Sequence, residues 1–437
     1  MNNFLFKHID NSALIVFRII FGLLVFLESI GAIFTGWVKR TLIDPEFTFS
    51  FIGFEWLQPL PGDWMYLYYG IMGMFGLLIM VGYKYRWSVI AFTIMWAMTY
   101  LMQKSSYNNH YYLLILLSSI MAILPANTYL SVDAKLNPEI KSNSMPQWCS
   151  YLLIAQMFIV YTYGAIAKIY PDWLDTTFME ILLKSKEHFY IIGDLLQSKS
   201  VHYFLAYGGI LFDGLVIPLL LYKPTRNFAL YASIFFHLFN SIVFQIGIFP
   251  YLSLALILFF YEPKVIQTIF LKKKSFYDKG EIIYDSNRKP FLVVISIYLL
   301  IQLMLPLRHW FINDNVLWTE EGHRMSWRMM LRSKSGRANF YVIDKNTNKK
   351  TVVDLNNYLT TKQKHKVSTK PDFIWQLAQR LKKQYANNGQ NVSIYVDCHI
   401  SVNGRPYQRL IDPETDLANV EWNAFRHSPW VLPSNLD

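Results

Sequence analysis

The sequence predicts an α-helical integral membrane bundle of about eight or nine transmembrane helices, followed by a C-terminal mixed α/β, strand-rich domain outside the membrane. Three observations carry the prediction. The 437 residues are 53% hydrophobic and only 16% charged, far greasier than a soluble chain of this length. The apolar residues fall in nine blocks, most of them able to cross roughly 30 Å of hydrocarbon as helices. From about Ile312 the blocks give way to short alternating and amphipathic segments. The expected division is 1–311 for the bundle and 312–437 for an extracytoplasmic α+β domain.

The blocks run 12–38, 64–81, 87–102, 111–124, 148–169, 201–222, 228–248, 250–261 and 291–311. Trp and Tyr crowd their ends, as an interfacial belt requires. The opening MNNFLFKHID is polar and the first block is too long for a signal-peptide core, so that block is expected to stay as a helix. Blocks 111–124 and 250–261 are short and suit re-entrant segments or a thin part of the bundle. With every block a crossing, Lys7, Lys84, Lys135, Lys223 and the loop from Lys264 to Lys289 share one side. That puts the N-terminus in the cytoplasm and the region after Phe311 outside. Losing the 250–261 crossing would erase this bias, so blocks 228–248 and 250–261 are expected to form a tight hairpin. The formal charge of +11 is largely the same excess at a membrane surface, and no nucleic-acid partner is expected. Cys149 and Cys398 fall on opposite sides and are not expected to pair. Two cysteines exclude a zinc or iron–sulfur site built on cysteine, and no metal is expected.

In the tail, NFYVID and KTVVDL flank 345–348 as a hairpin would. Ile374, Leu377, Leu381 and Tyr385 recur at helical spacing. In VSIYVDCHISV the residues Val392, Ile394, Val396, Cys398, Ile400 and Val402 alternate strictly, so one face of this strand is core. Asn403-Gly404 then signals a tight turn into RPYQRLI. The period of two puts Arg405, Tyr407 and Arg409 on one face. Two guanidinium groups around a phenol suit a carboxylate or a peptide backbone; two solvated arginines on an open face fit the same pattern.

Polar groups inside the apolar blocks are the most informative, because each costs a few kcal/mol unless paired or facing a cavity. Arg18 and Glu28 lie in the first block, Asp213 in the sixth, and His237 and Asn240 one turn apart in the seventh. Arg18, Glu28 and Asp213 read as structural partners within the bundle. Asn108, Asn109 and His110 open the fourth block at its outer end, and Lys168 ends the fifth at the same face, so the topology lets them meet. Lys168 either snorkels to the interface or is buried enough for a neutral amine to serve as a base. His110 is a base candidate or an interfacial cap, and the two asparagines suit the start of a helix.

The strings around these residues, KSSYNNHYYLLILL, ANTYLSVD, FRIIFG, FIVYTYGAIAKIYPDWL, FFHLFNSIVFQIGIFPY, LMLPLRHW, SWRMMLRS, VNGRPYQRLIDP and EWNAFRHSPWV, occur in order over nearly the whole chain. Together they resemble the vitamin K-dependent γ-glutamyl carboxylase family. The resemblance implies a membrane enzyme that oxidises vitamin K hydroquinone with dioxygen to the epoxide. Coupled to that oxidation, it adds carbon dioxide to the γ-carbon of glutamate in a protein or peptide docked from the extracytoplasmic side, with the quinol drawn from the lipid bilayer. Carried across residue by residue, it makes Lys168 the base on the hydroquinone, assisted by His110 and Asn109. Asn108, Arg18, His237, Asn240, Met329 and Met330 fall on the quinone side. His309, Trp327, His323, Arg405, Arg409 and Trp430 fall on the substrate side. His323 stands where the animal enzymes carry tyrosine and Arg332 where they carry histidine. Their paired cysteines and long C-terminal extension have no counterpart here. Two other readings stay open: a quinol epoxidase-like enzyme without peptide carboxylation, and a non-catalytic membrane transporter or scaffold, although no inverted repeat supports a transporter.

Overall fold

The computed structural model describes residues 2–283 and 288–436. All nine apolar blocks are helical and form the expected membrane bundle. Among the described residues six helices are long and apolar enough to span a membrane: Ser12–Phe34, Trp64–Val81, Trp148–Ala167, Lys199–Leu221, Lys223–Phe244 and Arg288–Phe311. A seventh exists only if the pair Phe249–Phe260 and Pro263–Phe270, bent by 120°, is one span. The causes of the lower count are local. The helix Asn109–Ile123 has 15 residues, which at about 1.5 Å per residue falls short of the hydrocarbon thickness. The helix after Tyr261 starts at Pro263, whose preceding residue Glu262 is extended (ψ 129°), and there the chain turns.

The first two long helices pack closely through glycine. A methyl group at Gly76 would sit 2.7 Å from the backbone nitrogen of Phe26, and one at Gly22 would sit 2.3 Å from that of Met80. Small residues here let the two backbones approach, the usual basis of helix association in lipid. On the N-terminal side, strand His8–Asp10 pairs antiparallel with Ser144–Pro146. Lys7 bridges to Ile282, and buried Lys274 reaches Asp10 at 2.5 Å. The basic segment around 264–283 thus lies beside the N-terminus.

At the opposite end sits the C-terminal domain, a four-stranded antiparallel sheet with helices against it. The expected hairpin is present: Lys334–Asp344 pairs with Lys350–Val352. It also pairs along its whole length with Val392–Val402, whose alternating apolar residues are all at most 2% exposed. Asn403 and Gly404 adopt φ of 51° and 78°, the left-handed pair a two-residue hairpin turn demands. The return strand shrinks to Gln408–Arg409, because Pro406 has no N–H for the ladder. Helix Pro371–Asn387 buries Phe373, Ile374, Leu377 and Leu381 against the sheet.

The bundle and this domain share a core. Phe47 and Phe49, in the loop after the first long helix, belong to the same buried cluster as Phe373, with Phe49 and Phe373 rings 4.9 Å apart. Lys104 pairs with buried Asp372 at 2.5 Å. Arg405 grips Asp172 through two bonds of 2.5 and 2.7 Å. Cys149 and Cys398 are both buried and free.

Candidate active site

Two cavities meet where the bundle touches the C-terminal domain. The first, about 460 Å³, lies between helices Lys199–Leu221 and Arg226–Phe244 and is lined almost wholly by apolar side chains. Phe204, Leu211, Phe228 and Phe235 on its rim are 59–67% exposed on the outside of the bundle, so it opens toward lipid. Its polar groups are few: His110, Lys168, Asp213, His237 and Asn240.

Lys168 closes helix Trp148–Ala167 as its C-cap. Its Nζ bonds directly to the Asp213 carboxylate, with the two residues 8% and 5% exposed, and stands 5.6 Å from the centre of the Trp173 ring. Room for the carboxylate comes from Gly164, where a methyl group would lie 3.0 Å from Asp213 Oδ2. Sequence reading set Asp213 aside as a structural partner; it is the partner of the candidate base. His237 Nε2 lies 2.8 Å from the Tyr161 hydroxyl, which fixes its ring. His110 stacks on Phe249 with centroids 4.1 Å apart.

The second cavity, about 300 Å³, lies on the other side of His110, Met329 and Met330, which border both. It is strongly basic. Glu320, buried in its wall, is held by Arg332, by Lys370 at 2.7 Å and by Lys334 at 3.1 Å. Burial alone would raise the Glu320 pKa, but these three cations outweigh it and hold the carboxyl well below its usual range. Burial pushes Lys334 down to about 8, with Glu320 opposing. His323 lines the same cavity and burial holds it neutral, its pKa far below the ordinary value.

The wall between the cavities is irregular chain. Met325, Trp327 and Met330 all have φ between 50° and 60°, a strained arrangement for side chains of this size. Neighbouring groups pin it. Asn109 accepts from the Tyr107 hydroxyl at 2.8 Å and donates to the Arg328 carbonyl at 3.1 Å, and the Tyr107 hydroxyl accepts from Met325 N–H at 2.7 Å. Asn108 caps its helix by accepting from Tyr111 N–H at 2.7 Å. A third hollow, about 520 Å³, opens on the far side of Arg328 and is bordered by His309, Asp172 and Arg405. His309 Nε2 is 3.3 Å from the Arg328 guanidinium.

Five expected site residues lie elsewhere. Arg18 donates to the carbonyls of Ala126, Tyr129 and Leu130 at 2.9, 3.2 and 2.6 Å, closing a loop at the opposite end of the bundle, and does not line the apolar cavity. Trp327 is 1% exposed and stacks on Tyr112, borders none of the three hollows, and so anchors the wall by packing. Trp430, 3% exposed, is core of the C-terminal domain beside Trp422. Arg405 and Arg409 do not gather around Tyr407 as one carboxylate-binding group, because each has its own acidic partner. Arg405 is spent on Asp172, Tyr407 meets Ser335 at 2.9 Å, and Arg409 faces Asp397 at 3.4 Å. Glu320, Arg328 and Lys370, which line the basic cavity, were not singled out in the sequence.

Residues 6–264 match the family model of the HTTM domain, and residues 287–437 match that of the vitamin K-dependent gamma-carboxylase, lumenal domain. The first match covers more than half of the chain. No solved structure matches it.

Proposed function

Since the chain belongs to the vitamin K-dependent gamma-carboxylase family, we propose that it carboxylates protein glutamate at the γ-carbon, coupled to oxidation of vitamin K hydroquinone to the epoxide by dioxygen. The observation that carries this reading is the junction itself. A buried Lys168–Asp213 pair ends a lipid-facing apolar cavity, and only His110, Met329 and Met330 separate it from a basic cavity under the C-terminal domain.

The apolar walls suit a naphthoquinone and its isoprenoid tail, and the polar end suits its hydroxyl groups, so the residues present fit the cofactor. When bound, the reduced quinone supplies with dioxygen a base strong enough to take a carbon-bound proton, which no side chain is at neutral pH. The chain's residues do the rest. The proton-accepting unit in this reading is the Lys168–Asp213 pair: the unprotonated amine takes the hydroquinone proton, which then rests as ammonium beside the carboxylate. His237, oriented by Tyr161, and Asn240 offer hydrogen bonds to a quinol ring in the same chamber. His110 stands on the border and faces both reactants. Met329, Met330 and the aromatic walls exclude water from the reacting centre. The substrate carboxylate docks in the basic cavity, with His323 and Arg332 at its wall.

In this reading both sides of the division at 311/312 build each cavity, His110 from the bundle and Met329 and Met330 from the tail. The basic segments gathered beside the N-terminus support a cytoplasmic position for it. Purified protein in lipid nanodiscs, given reduced vitamin K, dioxygen, labelled bicarbonate and glutamate peptides, is expected to form epoxide and fix label. Lys168→Ala is expected to lose both, and intact quinol oxidation in that variant overturns the assignment of the base. A second reading, quinol oxidation with no peptide carboxylated, is favoured by Glu320, an internal carboxylate already lodged in the basic cavity. Epoxide without incorporated carbon across several glutamate peptides selects it.

A further inference from the structure

The basic cavity carries more charge than one carboxylate can balance. Its wall presents seven cationic side chains. Lys104 and Arg324 are spent on Asp372, at 2.5 and 2.9 Å. Arg332, Lys334 and Lys370 share the single carboxylate of Glu320. Arg328 and Lys366 have no ion pair among the described residues, and the buried Nε of Arg328, a residue 8% exposed, has no hydrogen-bond partner. His323 adds a second buried nitrogen without a partner. Buried cations without counter-charge are costly, so this cavity is complete only with an anion inside it. A monocarboxylate would answer one of the two unpaired cations and leave the other.

Resting on the carboxylase reading above, we propose that this cavity is matched to the product side chain, a geminal dicarboxylate, and not to the incoming monocarboxylate. The chemistry gives the reason. At the γ-carbon a C–H bond breaks, and its proton goes to the base that the oxidised quinol supplies. The electron pair left behind forms a C–C bond to carbon dioxide, which becomes the second carboxylate. The side chain thus passes from monoanion to dianion within the cavity. Cations fixed beforehand where that charge develops stabilise the step and do not merely hold the substrate. Arg328 and Lys366 are the groups assigned to the two carboxylates of the product, and Arg328, which stands next to the Met329–Met330 border with the apolar cavity, is assigned to the new one.

The test is a binding comparison in nanodiscs by calorimetry, using acetate, malonate and inorganic phosphate as probes. Malonate is expected to bind at least about tenfold tighter than acetate, a difference of roughly 1.4 kcal/mol. Arg328→Gln and Lys366→Gln are each expected to bring that ratio down to about twofold or less. Lys366, half-buried and without an ion pair among the described residues, provides the variant should Arg328→Gln not fold. Equal affinity for acetate and malonate overturns the proposal, as does a ratio unchanged in the folded variants. Phosphate binding as tightly as malonate also overturns it, since the cavity would then be a general anion sink. Carboxylation of a glutamate peptide, assayed separately, keeps the two ideas apart. Turnover without malonate preference sinks this inference alone; malonate preference in a protein that carboxylates no peptide sinks the proposed function and the product assignment with it.

Discussion

The apolar cavity and the basic cavity share three residues and little else. One is apolar, opens to lipid and holds a single ion pair; the other is cationic and sits under a folded domain at the water side. In the chamber, one buried charge pair is the only strong field, so its proton inventory is set by two atoms. In the basic cavity the charges are coupled, because Glu320 is shared by three cations and those cations feel one another. The difference teaches where single substitutions should act: on chemistry in the first, on stability and anion capture in the second.

Three further substitutions and one pH scan would break or sharpen that contrast. The largest effect is expected from Asp213→Asn, which keeps the shape of the pair but leaves the amine of Lys168 without a carboxylate. Quinol oxidation should fall by about 10²–10⁴-fold while the unfolding temperature moves little, and a rate within a few-fold of the parent would dissolve the pair as a unit. Glu320→Gln should do the reverse. Three cations lose their common partner at a cost of about 3–5 kcal/mol, read as a lowered unfolding midpoint, with epoxide formation in the surviving folded protein reduced far less. Gly164→Ala places a methyl group against Asp213 Oδ2 and should slow quinol oxidation by roughly tenfold without changing malonate affinity.

The smallest effect concerns the seam between the regions. Burial would raise the Asp372 carboxyl, but Arg324 and Lys104 outweigh it and hold its pKa well below the usual range. A depressed carboxyl contributes stability above its unfolded pKa of about 3.9, and that contribution is lost as pH falls further. Stability of the parent should therefore drop below about pH 4 more steeply than that of Asp372→Asn, which calorimetric scans at several pH values would check.

Much of this architecture was legible from residue order, and the misses have physical causes. Strict alternation from Val392 to Val402 and the Asn403-Gly404 turn specified their strand and hairpin outright, because period and left-handed backbone are local properties. That Asn108, Asn109, His110 and Lys168 gather at one face followed from counting crossings. Asp213 was visible but unassigned: it lies 45 residues from Lys168, and no local pattern joins an acid and a base on separate helices. Glu320 and Arg328 escaped because they sit in irregular chain whose left-handed residues, Met325, Trp327 and Met330, are not glycine and announce nothing. The shortness of blocks 111–124 and 250–261 was legible too, and the helix Asn109–Ile123 has 15 residues while the chain bends by 120° at the break before Pro263.

Phe47 and Phe49 come from the bundle's first long connection, yet they are buried in the interior of the last hundred-odd residues, where Gln363 bonds the Phe47 carbonyl at 2.7 Å and Gln376 that of Ser50 at 3.0 Å. The tail is therefore not an autonomous module. Expressed by itself it would carry a greasy scar where those two rings belong, and in the intact protein a blow to the early connection should melt both halves in one transition.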